Sequence, residues 1–335
     1  NAIVWQCNRT LDYCKELKDS GYENLVSSKT GLLIDSYFSA TKIKWILEHV
    51  NNTQKMLEND ELLFGTIDSW LVWMLTNGSS HITDYTNASR TLIFNIDTKK
   101  WDTELLNLFQ IPNQILPKVQ SSSSFFGETC KSILGTSIPI CGIAGDQQSA
   151  LYGQLAFDLG MSKCTYGTGC FMLTNTGKKR VNSKNGLITT LTCDSWGKPN
   201  YALEGSVFIG GAIIQWLRDE LSIISDASET CDIANSVDNS GLYIVPAFTG
   251  LGAPHWDMES KGLITGISRD TNKSHFVRAA LESISYQVND LYKAIKLDMN
   301  TGFSLLKVDG GATANDFLMQ FQSDILNLEI NRPKN

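Results

Sequence analysis

One stretch limits the fold more than any other. Residues 138–153 read Ile-Pro-Ile-Cys-Gly-Ile-Ala-Gly-Asp-Gln-Gln-Ser-Ala-Leu-Tyr-Gly. The apolar run Ile138 to Ala144 is too short for a helix and predicts a buried strand. Gly145 breaks the run, and Asp146 stands where a helix can begin. Its carboxylate can accept bonds from the free amides of a first turn, as an N-cap does. Gln147 to Leu151 continue as a helix. The result is a carboxylate at a strand-to-helix junction, where open α/β sheets place ligands. From this stretch alone a plain helix cap is the better reading, since Asp caps are common.

The chain has 335 residues, enough for about two domains. Its net charge of −7 opposes binding to bare nucleic acid or an anionic membrane surface, which need basic faces. No run of 18 apolar residues occurs, so no membrane span is expected. The cysteines Cys7, Cys14, Cys130, Cys141, Cys164, Cys170, Cys193 and Cys231 form no C-x-x-C pair, and a disulfide framework is not expected. Cys141, Cys164 and Cys170 sit in apolar runs and read as reduced core residues. The first residue is not Met, and Ala2 to Trp5 reads as a strand with nothing before it to pair with. The chain therefore reads as cut from a longer protein.

Along the chain, residues 7–20 carry a helical pattern with Leu11, Cys14 and Leu17 on one face, ending at Gly21. Ser39 is a fair N-cap for a helix with Ile43, Ile46, Leu47 and Val50 as its stripe. Leu62 to Leu75, with Trp70 and Trp73, predicts an apolar helix packed on a sheet. Thr91 to Phe94 predicts a short strand and Trp101 to Leu108 a helix. Past Gln154 strands dominate: Met161 to Thr174, Gly186 to Thr192, Tyr201 to Leu203, and a buried Leu242 to Pro246. Helices are expected over Gly211 to Leu221, His275 to Ile295 and Asn315 to Leu326, with a Ser- and Asp-rich loop over 222–240. Leu305 to Val308 and Leu328 to Ile330 close the list of strands. The alternation predicts an α/β protein with a mixed sheet in each half and a boundary near 155–160. The expected domains are residues 1–155 and 156–335.

Three turns share a design in which a strand ends in glycine. The first is Gly145-Asp146. The second is Thr165-Tyr166-Gly167-Thr168-Gly169-Cys170, whose glycines let backbone amides approach an anion closely. For a lone Gly-Thr-Gly, a tight hairpin is the better reading. The third is Val308-Asp309-Gly310-Gly311-Ala312-Thr313-Ala314-Asn315-Asp316, which lacks the G-x-G-x-x-G spacing of a dinucleotide turn. Gly210-Gly211, ahead of Gln215, is a fourth candidate contact. Each is weak alone; their recurrence at element junctions points to phosphate.

With these residues set out, the chain resembles a known family. Tyr37 to His49 (YFSATKIKWILEH) and Gly262 to Glu282 (GLITGISRDTNKSHFVRAALE) resemble the two signature stretches of the FGGY carbohydrate kinases. Ala2 to Cys7, Gly142 to Gln148, Tyr166 to Phe171 and Pro246 to Pro254 are also similar to that family, and the similarity runs from end to end. It implies the two-domain actin/Hsp70/hexokinase-like fold (ribonuclease H-like), with ATP and substrate in a cleft between the domains. It implies ATP-dependent, Mg²⁺-assisted phosphorylation of glycerol to sn-glycerol 3-phosphate, with Asp146 as general base and Mg²⁺ partner. Trp5, Tyr37, Asp146, Gln147 and Phe171 would then contact glycerol. Thr168 and Gly211 would hold phosphates, with Gln215, Gly311 and Asn315 near the nucleotide. A cytoplasmic homodimer or homotetramer is implied as well. Another polyol or sugar such as xylulose, or a non-catalytic ATP-binding module, are the alternatives.

Two departures stand out. The family's N-terminal Asp-x-Gly-Thr-Thr phosphate loop, the Arg-Glu pair after it and the closing helices are not in this sequence, so little or no activity is expected of these 335 residues alone. Leu134-Gly135-Thr136-Ser137 stands where bacterial members carry a Gly-Gly-Thr-Arg loop for sugar-bisphosphate inhibition. Its missing arginine implies that this control is lost.

Overall fold

The computed structural model describes residues 2–5, 7–300 and 302–333; Gln6, inside the first stretch of family resemblance, lies outside the described residues. The chain divides into two compact units. The first comprises Asn1–Tyr152 with Lys178–Arg180 and Ile188–Ala202; the second comprises Gly153–Gly177, Val181–Leu187 and Leu203–Asn335.

In the first unit, helix Leu11–Asp19 buries Cys14 and Leu17 and stops before Gly21, whose φ of 81° lies in the left-handed region that glycine enters without strain. Helix Ser39–His49 takes Ser39 as its first helical residue. Phe38 precedes it in extended conformation, and no side chain caps the end, so the expected serine cap is not formed. The Leu62 to Leu75 helix is shorter than the apolar pattern suggests and covers Ile67–Leu75. It buries Ser69 and Val72, while Ile67, Trp70, Leu71 and Met74 remain exposed. Apolarity on every side hid which face is buried. The expected strand at Thr91 to Phe94 is reduced to Phe94–Asn95, because Leu92 takes a φ of 64° and turns the chain. Trp101 belongs to the partner strand Lys100–Trp101, and the helix after it is Thr103–Phe109, capped by the Asp102 carboxylate.

Strands of this unit pair two by two. Ile82–Asp84 runs parallel to Lys118–Gln120, and Ser123–Glu128 runs antiparallel to Pro139–Gly142 with a register shift. The last strand was expected to be buried. It is open to solvent, and Cys141 is exposed rather than in a core. Ala88, Phe94, Ile96, Leu191 and Tyr201 form a buried cluster.

The second unit holds the larger sheet, ordered Glu329–Asn331, Leu305–Asp309, Ser162–Tyr166, Cys170–Gly177 and Pro199–Val207; Ile188–Cys193 and the start of Pro199–Val207 count with the first unit. Leu305–Asp309 runs parallel to both of its neighbours, and Ser162–Tyr166 forms an antiparallel hairpin with Cys170–Gly177. Helix Lys273–Met299 begins at a capping box. The Asn272 side chain accepts the Ser274 N–H at 2.9 Å, and the Asn272 N–H reaches His275 Nδ1 at 3.0 Å. Its apolar residues join Cys164, Tyr166, Cys170, Leu203, Ile213, Leu306 and Val308 in one core. The Ser- and Asp-rich stretch is not all loop: a 3₁₀ turn Ala227–Glu229 and helix Thr230–Asn235 lie within it. Tyr243–Val245, expected buried, exposes Tyr243 and Val245 and buries only Ile244. A three-residue strand in a two-stranded ladder covers one face at most.

Candidate active site

Parallel neighbours place two glycine turns at one end of the larger sheet. Thr165 lies opposite Asp309, and both strands finish within one residue of that pair. Residues 167–169 make the hairpin turn, since Tyr166 pairs with Cys170. The hairpin expectation for Gly-Thr-Gly is therefore met. Gly310 has a φ of 94°, and a Cβ there would lie 2.4 Å from the Tyr166 carbonyl oxygen. Glycine is required on both counts. The Gly210-Gly211 pair is tied to the same place by backbone bonds. Gly210 N–H donates to the Thr168 carbonyl at 2.7 Å and Gly211 N–H to the Gly167 carbonyl at 2.8 Å.

These turns border a cavity of about 550 Å³ inside the second unit. Thr168, Gly211, Gln215, Gly311 and Asn315, the five residues expected at the nucleotide, all line it. Ile214, Leu281, Ile284 and Leu318 supply apolar walls. Glycine turns at one end and aliphatic walls beside them suit a phosphate chain joined to a flat ring. Arg218, Thr230 and Cys231 also line the cavity and were not singled out in the sequence. Their one signal was position: Arg218 follows Gln215 by three residues on helix Ala212–Asp219.

The substrate-side residues lie as follows. Trp5 and Tyr37 meet edge-to-face, ring centres 5.4 Å apart. The Lys42 ammonium donates to the carbonyls of Val4 at 2.9 Å and Trp5 at 3.1 Å, so helix Ser39–His49 anchors the chain that carries Trp5. Burial lowers the pKa of Lys42. Arg90, also missed in the sequence, sits 5.6 Å from the Tyr37 ring and 5.4 Å from that of Phe38. Asp146 opens helix Asp146–Gly153 and is exposed. It is not the cap. Gly145 provides the carbonyl that accepts the Ser149 N–H at 2.8 Å, which moves Asp146 one residue into the helix. One carboxylate oxygen accepts the Gln147 N–H at 2.7 Å. Phe171 lies on strand Cys170–Gly177 opposite Thr165 and does not line the cavity.

Residues 1–153 match the N-terminal domain of the FGGY family of carbohydrate kinases, and residues 162–335 match the C-terminal domain of that family. The chain belongs to the FGGY family of carbohydrate kinases. Among FGGY relatives, a glycerol kinase of Clostridium botulinum is 57% identical over 335 residues, all of this chain and 67% of the relative. A glycerol kinase of Vibrio cholerae is 56% identical over 336 residues, covering 66% of its length. The chain thus spans about two thirds of these FGGY proteins. The crystal structure of Plasmodium falciparum glycerol kinase with ADP superposes with a TM-score of 0.91 at 41% identity, over 100% of this chain and 67% of that one. A xylulose kinase of Lactobacillus acidophilus shares the fold, with a TM-score of 0.85 at 24% identity, over 100% of this chain and 68% of that one. Among the described residues, no helix is long and apolar enough to cross a membrane.

Proposed function

We propose that this protein transfers the γ-phosphoryl group of ATP to a terminal hydroxyl of glycerol, giving sn-glycerol 3-phosphate and ADP. The observation that carries the reading is the cavity with all five expected nucleotide residues on its wall. The glycerol kinases at 56% and 57% identity support the choice of substrate.

Phosphoryl transfer depends on positioning and charge neutralisation more than on covalent help. The glycerol hydroxyl oxygen bonds to the γ-phosphorus as the bond to the bridging oxygen breaks, and ADP leaves with that electron pair. Asp146 orients the hydroxyl and takes its proton late in the step. An alcohol is too weak an acid to be ionised before the step, so prior deprotonation is not the role of Asp146. Gln147 both donates and accepts, which suits a polyol, and Tyr37 adds a hydroxyl. Trp5 and Phe171 cover the carbon chain.

Among the described residues no three His, Cys, Asp or Glu side chains gather as a metal cage. An exposed Asp146 carboxylate fits Mg²⁺, which usually takes one or two carboxylates, nucleotide phosphates and water. Asp146 would hold it, and the ion supplies neutralising charge to the phosphates. A cytoplasmic enzyme that assembles as a homodimer or homotetramer completes the proposal.

The test is ADP release by the intact protein with ATP and Mg²⁺, with and without glycerol. Glycerol-dependent release is expected. Turnover of xylulose with none of glycerol would overturn the substrate, and nucleotide binding without any acceptor-stimulated release would overturn the activity.

A further inference from the structure

Asn315 does more than line the cavity. It precedes helix Asp316–Leu326, and its Oδ1 accepts the Leu318 N–H at 2.9 Å. Its Nδ2 donates to the Thr230 hydroxyl at 2.9 Å, and that hydroxyl donates to the Ala227 carbonyl at 2.6 Å. A main-chain N–H can only donate. A threonine oxygen whose single hydrogen is committed to Ala227 can only accept from Asn315. The amide is therefore held at both ends, oxygen toward Leu318 and nitrogen toward Thr230. Thr230 is 1% exposed, whereas Asn315 is only partly covered. One Nδ2 hydrogen and one Oδ1 lone pair are left over.

We propose that Thr230 is a positioning residue that makes Asn315 select adenine over guanine; this rests on the reading of the cavity as the nucleotide site. Adenine offers an amino donor beside a ring-nitrogen acceptor, which suits the leftover oxygen lone pair and N–H of one amide. Guanine has a carbonyl oxygen where adenine has the amino group, so it sets acceptor against acceptor. A freely turning amide could reverse and accept guanine. Here reversal puts an NH₂ against the Leu318 N–H and loses the bond to Thr230. The discrimination thus comes from the Leu318 N–H together with the Thr230 hydroxyl on helix Thr230–Asn235.

The experiment uses the intact protein with Thr230→Val and Thr230→Ser. Binding of ADP and GDP is measured by calorimetry, and KM and kcat with ATP and with GTP. Thr230→Val is expected to narrow the ADP-over-GDP affinity ratio by about tenfold, the size of one good base contact. The kinetic change should fall in KM for ATP more than in kcat, and Thr230→Ser should restore most of the ratio. An unchanged ratio in a folded Thr230→Val protein overturns the proposal. Should that variant not fold, Asn315→Asp keeps the acceptor for Leu318 but removes the leftover donor. It too should narrow the ratio, and an unchanged ratio overturns the proposal. Failure of the wild type to bind ADP removes the nucleotide site itself. Normal ADP binding with an indifferent Thr230→Val removes only the role of Thr230.

Discussion

The Thr86 hydroxyl accepts the Gly145 N–H at 2.7 Å, one residue before Asp146. The same hydroxyl donates to the Asp84 carboxylate, at 2.7 Å to Oδ2. Asp84 is fully buried and is further held by Ser122 Oγ at 2.6 Å and Asn87 Nδ2 at 2.9 Å. A buried carboxylate thus fixes a threonine, and the threonine fixes the turn that presents Asp146.

Replacing Thr86 by Val keeps the shape and removes the hydroxyl. The Gly145 N–H and one acceptor of Asp84 lose their partner, at a cost of about 1–3 kcal/mol in stability. With the Asp146 turn loosened, kcat should fall by about ten- to a hundredfold, while the affinity for ADP stays near the parent value. Thr86→Ser should recover most of kcat. Steady-state kinetics with calorimetric ADP binding checks this; equal losses in kcat and ADP affinity would contradict it.

Asp146→Asn keeps the size of the side chain and removes the proton acceptor. Turnover with glycerol should drop about 10²–10⁴-fold. Single-turnover phosphorylation is the measurement, and a near-parental rate would remove the role assigned to Asp146.

Gly310→Ala places a methyl group 2.4 Å from the Tyr166 carbonyl at a φ of 94°. Stability should fall by more than about 1 kcal/mol, because both backbone strain and collision oppose the substitution. ADP affinity should fall with it, since the next residue, Gly311, lines the cavity. Denaturant melts with and without ADP test both parts; a variant as stable as the parent would show that the turn can shift.

Asp35 supplies the pH prediction. Burial raises its pKa above the ordinary carboxylate value of 3.8, although its Oδ1 accepts the Tyr37 N–H at 2.8 Å. A raised folded pKa means that the unfolded chain releases the proton first as pH climbs. The penalty is absent below the ordinary carboxylate range, grows through that range, and is complete once pH has passed the folded pKa. Asp35→Asn keeps an acceptor for Tyr37 and carries no charge. It should therefore melt higher than the parent at pH 7, with the difference closing as pH falls below about 4. A variant less stable than the parent at pH 7 would mean that the charge is held favourably.

Local chemistry was legible where a residue's own backbone needs decide the outcome. Gly21 ends a helix and Gly310 turns after a strand because those conformations exclude most side chains, and this needs no knowledge of the rest of the chain. The strand-and-glycine rhythm, the α/β class and the five cavity residues followed from such signals and from likeness to a family. Burial was less legible. Cys141 and Trp70 look apolar and internal in the sequence, yet both are exposed, because a side chain's burial depends on which other element covers it. The hydrogen bonds of Thr86 to Gly145 and of Thr230 to Asn315 span 59 and 85 residues. No periodicity or spacing encodes such pairs. Only the packed structure brings the hydroxyl to the amide, and a bond length of 2.7 to 2.9 Å leaves no room for a reading from sequence alone.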